Sequence, residues 1–229
     1  MLVHGRDNPL RLGVLISGGG RTLMNLHALC QAGELPARVV VVVASRPCKG
    51  IERAQAAGLN VHLVPYKKMP DVEPAAVSAP ASSEPALFET YSSRITALLD
   101  QSGVDLVIMA GFLSLWIIPP AYLGRVINIH PALLPSFGGQ GMYGHHVHEA
   151  VLRHGCKVSG CTVHFVTNQY DRGPIILQRC VTVLEGDTPD TLADRVFQQE
   201  CIAFPEAVSL FAAGRLRIDG GVVRIAERP

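Results

Sequence analysis

Residues 12–33 read LGVLISGGGRTLMNLHALCQAG: a short apolar run from Leu12 to Ser17 breaks into three glycines and resumes with helical spacing until Gly33, a residue suited to a C-cap. Strand, tight loop and helix in that order open an alternating α/β chain. Val39 to Ala44 is a run too apolar for a half-exposed strand and suits a central parallel strand covered on both faces. The pattern then predicts a helix over Gly50–Ala57, a strand over Val61–Val64, a helix near Phe88–Gln101 and a buried strand over Asp105–Ala110. The expected fold is α/β, a doubly wound and mostly parallel sheet of Rossmann type.

Further along, Val126–His130 is a fifth strand candidate, and the glycine-rich loop within 138–146 precedes an amphipathic segment over His145–Arg153. Val158–Val166 and Ile175–Leu184 flank NQYDRG and read as neighbouring strands of the same sheet. A last helix is expected over Thr188–Ala213, capped by Asp187 or Thr188 with Pro189 in its first turn, and the tail after Gly214 reads as a small β excursion. Residues 1–10 are expected as an N-terminal extension. The stretch 67–85, rich in Pro, Ala and Ser, reads as an inserted surface loop.

With 229 residues, 48% of them hydrophobic, the chain can bury one α/β core, so residues 1–229 are expected to form a single domain. Twenty basic and nineteen acidic residues leave a net charge of +1, which carries no global electrostatic footprint for nucleic acid or an anionic membrane. A small ligand is the better expectation. No apolar stretch is long enough to span a bilayer and MLVHGRDNPL lacks the apolar core of a secretory signal, so cytoplasmic residence is expected. The six cysteines, Cys30, Cys48, Cys156, Cys161, Cys180 and Cys201, form no CxxC pair and read as reduced core residues.

Three constellations carry chemistry. The loop Gly18-Gly19-Gly20 leaves a strand and enters a helix, so its amides can point at an anion, with Arg21 and Thr22 as apt phosphate partners. It lacks the GxGxxG spacing of a dinucleotide fold, and a bare tight turn is the plain alternative. Asn128 and His130 lie two apart at a strand end, on one face, where two donors can meet an oxyanion; a hydrogen-bonded core Asn with a surface His explains them equally. Asp171, with Gly173 beside it, is an ordinary turn former unless it folds next to His130, where a carboxylate would stabilise an imidazolium. His145, His146 and His148 do not have a usual zinc spacing and read as solvated or ligand-rim side chains, with His164 as a hydrogen-bonded strand residue near the site; no metal is expected.

Taken in order, LISGGGRTL, VIMAGFLSLW, NIHPALLPSF, GCTVHFVTNQYDRGPIILQ and VFQQE resemble the glycinamide ribonucleotide formyltransferases of purine synthesis, from about Leu12 to Ile218. Asn-x-His-Pro followed by LLP is shared with other folate-dependent formyltransferases and so speaks to reaction class more than to acceptor. The resemblance implies formyl transfer from 10-formyltetrahydrofolate, as co-substrate, to the amine of 5'-phosphoribosylglycinamide, by direct amine attack with oxyanion stabilisation. It implies Asn128, His130 and Asp171 as the catalytic trio with His164 nearby. Gly20, Arg21 and Thr22 would hold the acceptor's phosphate and Glu200 its sugar or amine end. Leu113, Ser114, Leu115 and Trp116, with Asn128 and the backbone around Asn168 to Asp171, would line the folate pocket. Small-molecule substrates are the implied partners, with a homodimer as the candidate assembly.

The chain departs from that family in places. The family often shows Gly-Asn-Gly-Ser-Asn where this chain has Gly18-Gly19-Gly20-Arg21-Thr22, and often an arginine where it has Ser114. The GGQGMYGHH loop is longer than usual, and the 67–85 insertion has no counterpart. Rival acceptors are a methionyl-tRNA, which calls for an appended RNA-binding domain, and an amino-sugar nucleotide, whose phosphates could use the same loop; hydrolysis of formyl-folate calls for a regulatory domain in front. A dinucleotide-dependent dehydrogenase would have the wrong glycine spacing and no use for Asn128, His130 and Asp171.

Overall fold

The computed structural model describes residues 4–5, 7–66 and 85–227, with the backbone alone for 85–89. Seven strands form one sheet in the order β3-β2-β1-β4-β5-β6-β7. β1 (Leu10–Ile16), β2 (Ala37–Ala44), β3 (Val61–Leu63), β4 (Leu106–Met109) and β5 (Val126–His130) run parallel, joined by α1 (Arg21–Gln31), α2 (Lys49–Ala56) and α3 (Pro85–Gln101). β6 (Val158–Phe165) and β7 (Ile175–Thr182) then add antiparallel, β6 after α4 (His145–Arg153). α5 (Pro189–Ala212) lies across β6 and β7, and a separate hairpin, β8 (Leu216–Asp219) with β9 (Val222–Ile225), is the expected β excursion.

Strand alternation sorts the core into two layers. Leu12, Val14, Ile16, Leu106, Ile108, Ile127 and Ile129 face α1, α4 and α5, whereas Leu15, Val41, Val43, Val107, Met109 and Val126 face α3 and the 112–122 segment. All these side chains but Ile129 and Met109, which are nearly so, are fully buried. This two-sided cover is why the strands read as unbroken apolar runs. The order reverses between β1 and β4, so the loops after those two strands meet at the carboxyl edge of the sheet, where open α/β sheets place ligands.

Several local expectations are refined. β1 begins at Leu10, so the N-terminal extension ends at residue 9, and His4 N is tied to the Ala212 carbonyl at 2.9 Å. The insertion lies outside the described residues except for Pro85, which opens α3. Thr188 caps α5 by accepting from Thr191 N at 3.2 Å, while Asp187 grips Arg195 with two contacts of 2.8 Å; that ion pair holds its carboxyl well below the usual range. Two side chains differ from the sequence reading. Of the alternatives for His148, solvated or ligand-rim, the first is excluded: it is 3% exposed, because it follows Val147 and lies one helical turn from Val151 on the face of α4 turned to the protein. Cys180, expected in the core, is exposed, because it lies on an outward-facing position of the edge strand β7.

Candidate active site

At the end of β5, Asn128 and His130 share the parity of Val126 and point to the same side of the sheet. Antiparallel pairing sets His164 of β6 opposite Asn128 and Thr162 opposite His130. The first pair bonds through its side chains, Asn128 Nδ2 to His164 Nε2 at 3.2 Å. His164 donates from Nδ1 to the Phe165 carbonyl at 2.8 Å, which leaves Nε2 as the acceptor and fixes which way the Asn128 amide faces. Burial pulls the His164 pKa below the usual imidazole value, against the Phe165 carbonyl and the Asp171 carboxylate.

Asp171 comes from the loop between β6 and β7 and sits between the two imidazoles. Its Oδ2 is 3.6 Å from His130 Nδ1 and its Oδ1 is 3.7 Å from His164 Nε2, ion-pair separations too long for direct hydrogen bonds. Gly139 N donates to Oδ2 at 2.9 Å. Two glycines permit this approach: a Cβ on Gly138 would lie 3.2 Å from Asp171 Cβ, and one on Gly173 would lie 1.7 Å from the Phe165 carbonyl oxygen. Gly173 is therefore imposed by packing rather than by the turn.

His130 is 4% exposed and donates from Nε2 to the Phe137 carbonyl at 2.8 Å. Phe137 has φ 54, a left-handed backbone conformation that a residue with a side chain rarely adopts. No side-chain pattern marks a backbone carbonyl, so sequence reasoning missed this partner; the glycine pair 138–139 was its only trace. With Nε2 committed, any second proton on the ring sits on Nδ1, facing Asp171 and the Asn128 side.

The glycine loop after β1 is the other half. Its carbonyls are all satisfied within the protein: Ser17 O by Arg46 Nε at 2.7 Å, Gly18 O by Gly50 N at 3.0 Å, Gly19 O by Arg53 Nη1 at 2.6 Å and Gly20 O by Met24 N at 3.0 Å. The backbone N–H groups from Gly18 to Leu23 donate to nothing among the described residues. Gly20 is required twice, by φ 71 and because a Cβ would lie 2.9 Å from Gly50 Cα. A run of free amides at a helix N-terminus suits a phosphate. β5 is the second neighbour of β1, so two strand spacings, about 10 Å, separate this loop from the cluster of Asn128, His130 and Asp171.

Other expected site residues are placed less simply. Arg21 lies over the Phe197 ring at 3.8 Å and meets Asp194 at 3.3 Å, so its side chain turns to α5. Glu200 is half buried, and burial pushes its carboxyl up to about 7 against the pull of Arg21. Leu113 is exposed and Ser114 and Leu115 are half-buried, whereas the Trp116 indole is 2% exposed, donates to Thr96 Oγ1 at 3.2 Å and packs edge-on to Tyr122, because a buried N–H needs a partner and α3 provides it. Asn168 accepts from Ile118 N at 2.8 Å and donates to Ile118 O at 3.3 Å, so its side chain staples the 166–174 loop to the 112–119 segment instead of facing a ligand. A recess of about 410 Å³ beside Ser92, Thr96 and Asp100 shares no residue with either half of the site, and Thr96 and Asp100 already have internal partners there.

Residues 10–208 match the model of the family described as formyl transferase. The chain belongs to the formyl transferase family. Within it, the chain is 38% identical to the chloroplastic phosphoribosylglycinamide formyltransferase of Arabidopsis thaliana, over 90% of this chain and 67% of that one. It is 35% identical to the trifunctional purine biosynthetic protein adenosine-3 of Gallus gallus, over 93% of this chain but only 19% of that protein. Among solved structures, glycinamide ribonucleotide transformylase 1 of Symbiobacterium toebii superposes with a TM-score of 0.77 at 42% identity, over 96% of this chain and 95% of that one. For this formyltransferase, among the described residues, no helix is long and apolar enough to cross a membrane, and no group of three or more His, Cys, Asp or Glu is placed to hold a metal ion.

Proposed function

We propose that this formyltransferase moves the formyl group of 10-formyltetrahydrofolate to the amine of 5'-phosphoribosylglycinamide in de novo purine synthesis, with Asn128, His130 and Asp171 as its catalytic residues. The observation that carries the reading is the meeting of these three side chains, with His164, at the carboxyl edge of the sheet, two strands from a loop of free amides. The amides of Gly20, Arg21 and Thr22 hold the phosphate and Glu200 faces the sugar or amine end. The folate, which supplies the formyl group, lies along Leu113, Ser114 and Leu115 beside the 168–171 backbone.

As the amine attacks the formyl carbon, negative charge develops on the formyl oxygen. Asn128 donates to that oxygen from the Nδ2 hydrogen that His164 leaves free, and His130 donates from Nδ1. Such a preorganised donor lowers a barrier by about 3–4 kcal/mol. Phe137 O keeps the other ring proton on Nε2, so the proton His130 passes to N10 as the C–N10 bond breaks is the one on Nδ1, and the surplus proton of the attacking amine, released directly or through water, restores it. Asp171 stabilises the charged ring from 3.6 Å. Fixing the acceptor at its phosphate and the folate at its own pocket turns a two-substrate encounter into a near-unimolecular step.

The test is direct: tetrahydrofolate release from 10-formyltetrahydrofolate that depends on added phosphoribosylglycinamide. Release without acceptor, or only with an amino-sugar nucleotide, overturns the assignment. Cytoplasmic residence, a single domain over 1–229 and a homodimer go with this reading as proposals, open to fractionation, limited proteolysis and sedimentation.

A further inference from the structure

We infer that Arg53, a residue outside the glycine motif, supplies the side-chain charge that holds the acceptor's phosphomonoester; this rests on the reading above that such an acceptor binds the amides of 18–23. A phosphate dianion at those amides needs a cation close by. Arg21 is the obvious candidate in the sequence, but its guanidinium is stacked on Phe197 and shared with Asp194. Arg53 is differently placed. It projects from α2, donates Nη1 to the Gly19 carbonyl at 2.6 Å, and its guanidinium is exposed with no carboxylate within ion-pair distance among the described residues.

A Cβ added to Gly19 would lie 3.6 Å from Arg53 Nη1, so the guanidinium runs alongside the middle of the free-amide run. Arg46 meets Ser17 O, one residue before the first free amide, and so stands at its edge. One arm of Arg53 thus neutralises a loop carbonyl that would repel an anion, while Nε and Nη2 remain without partners among the described residues. A forked cation with spare donors is the usual partner of a phosphate. The close approach of Gly20 to Gly50 keeps α2, and Arg53 with it, pressed against the loop.

The experiment compares kcat/KM for phosphoribosylglycinamide and for its dephosphorylated riboside, and reads the ratio between them. In Arg53→Gln the ratio should fall about tenfold or more, mostly through KM of the phosphorylated acceptor, as loss of a charged hydrogen bond implies. Arg53→Lys should keep most of it. Arg21→Gln should shift it about threefold or less. If Arg53 only braces Gly19, both acceptors fall by the same factor and the ratio holds, which overturns the inference. Collapse of the ratio in Arg21→Gln, and not in Arg53→Gln, overturns it as well. No turnover of the unmodified protein with either acceptor overturns the underlying reading, a failure that neither variant can mimic.

Discussion

At the β5–β6 end of the site, Asn128, His130, His164 and Asp171 are side chains held by one another and by strand pairing, with His130 and His164 at most 4% exposed. At the β1–α1 end, the groups left free are backbone amides, and the side chains Arg46 and Arg53 each satisfy a loop carbonyl, Arg53 with donors to spare. At the first end residue type matters, because the hydrogen bonds of Asn128, His130 and His164 run through their own side-chain nitrogens. The second depends on chain path, so its side chains can differ from those of relatives while the amides stay where they are. This is how a loop reading Gly-Gly-Gly-Arg-Thr can stand in for Gly-Asn-Gly-Ser-Asn.

That contrast is open to attack by substitution. The largest effect is expected for His130→Ala, which should lower kcat by about 10²–10³ with little change in either KM, as removal of one oxyanion donor does elsewhere; single-turnover formyl transfer checks it, and a loss under tenfold would dissolve the distinction between the two ends. Next comes Gly20→Ala. A left-handed conformation costs an L residue about 1–2 kcal/mol, before the contact with Gly50 Cα at 2.9 Å is relieved. Melting temperature should fall and KM for the acceptor rise, with kcat held, because only the chain path at the amide end is disturbed.

A pH series sharpens the picture at the side-chain end. Burial lowers the His148 pKa to about 4, with His145 and His130 adding to it, whereas the unfolded chain titrates near the ordinary imidazole value of 6.5. Between those values the unfolded state carries a proton that the folded state refuses, so stability is full above about 6.5 and falls as pH drops toward about 4. Thermal melts across pH 4.5–7.5 should show this slope, and His148→Gln should flatten it. The smallest effect is expected for Asp194→Ala. Its exposed pair with Arg21 is worth about 0–1 kcal/mol, so stability by chemical denaturation should move within that range.

Much of the site was legible because strand periodicity is a local property. Asn128 and His130 two apart on a strand must share a face, and the structure keeps them there. His164 was legible as a strand histidine, but its role in orienting Asn128 was not, since it depends on a register of pairing between residues 36 apart. The side-chain partners of Trp116 and Asn168 were not legible either. They lie on α3 and at Ile118. His148 was read by its polarity and is decided by helix packing.

By itself the sequence determined the order of strands and helices, the parallel core and the shared face of Asn128 and His130, since apolar periodicity, glycine punctuation and strand alternation act over a few residues. Only the tertiary structure decided which ring nitrogen of His130 is free, which arginine stands beside the glycine loop, and why residues 138 and 173 must be glycine. Those answers lie in contacts between segments far apart in the chain, where packing density and hydrogen-bond direction, rather than local propensity, set the outcome.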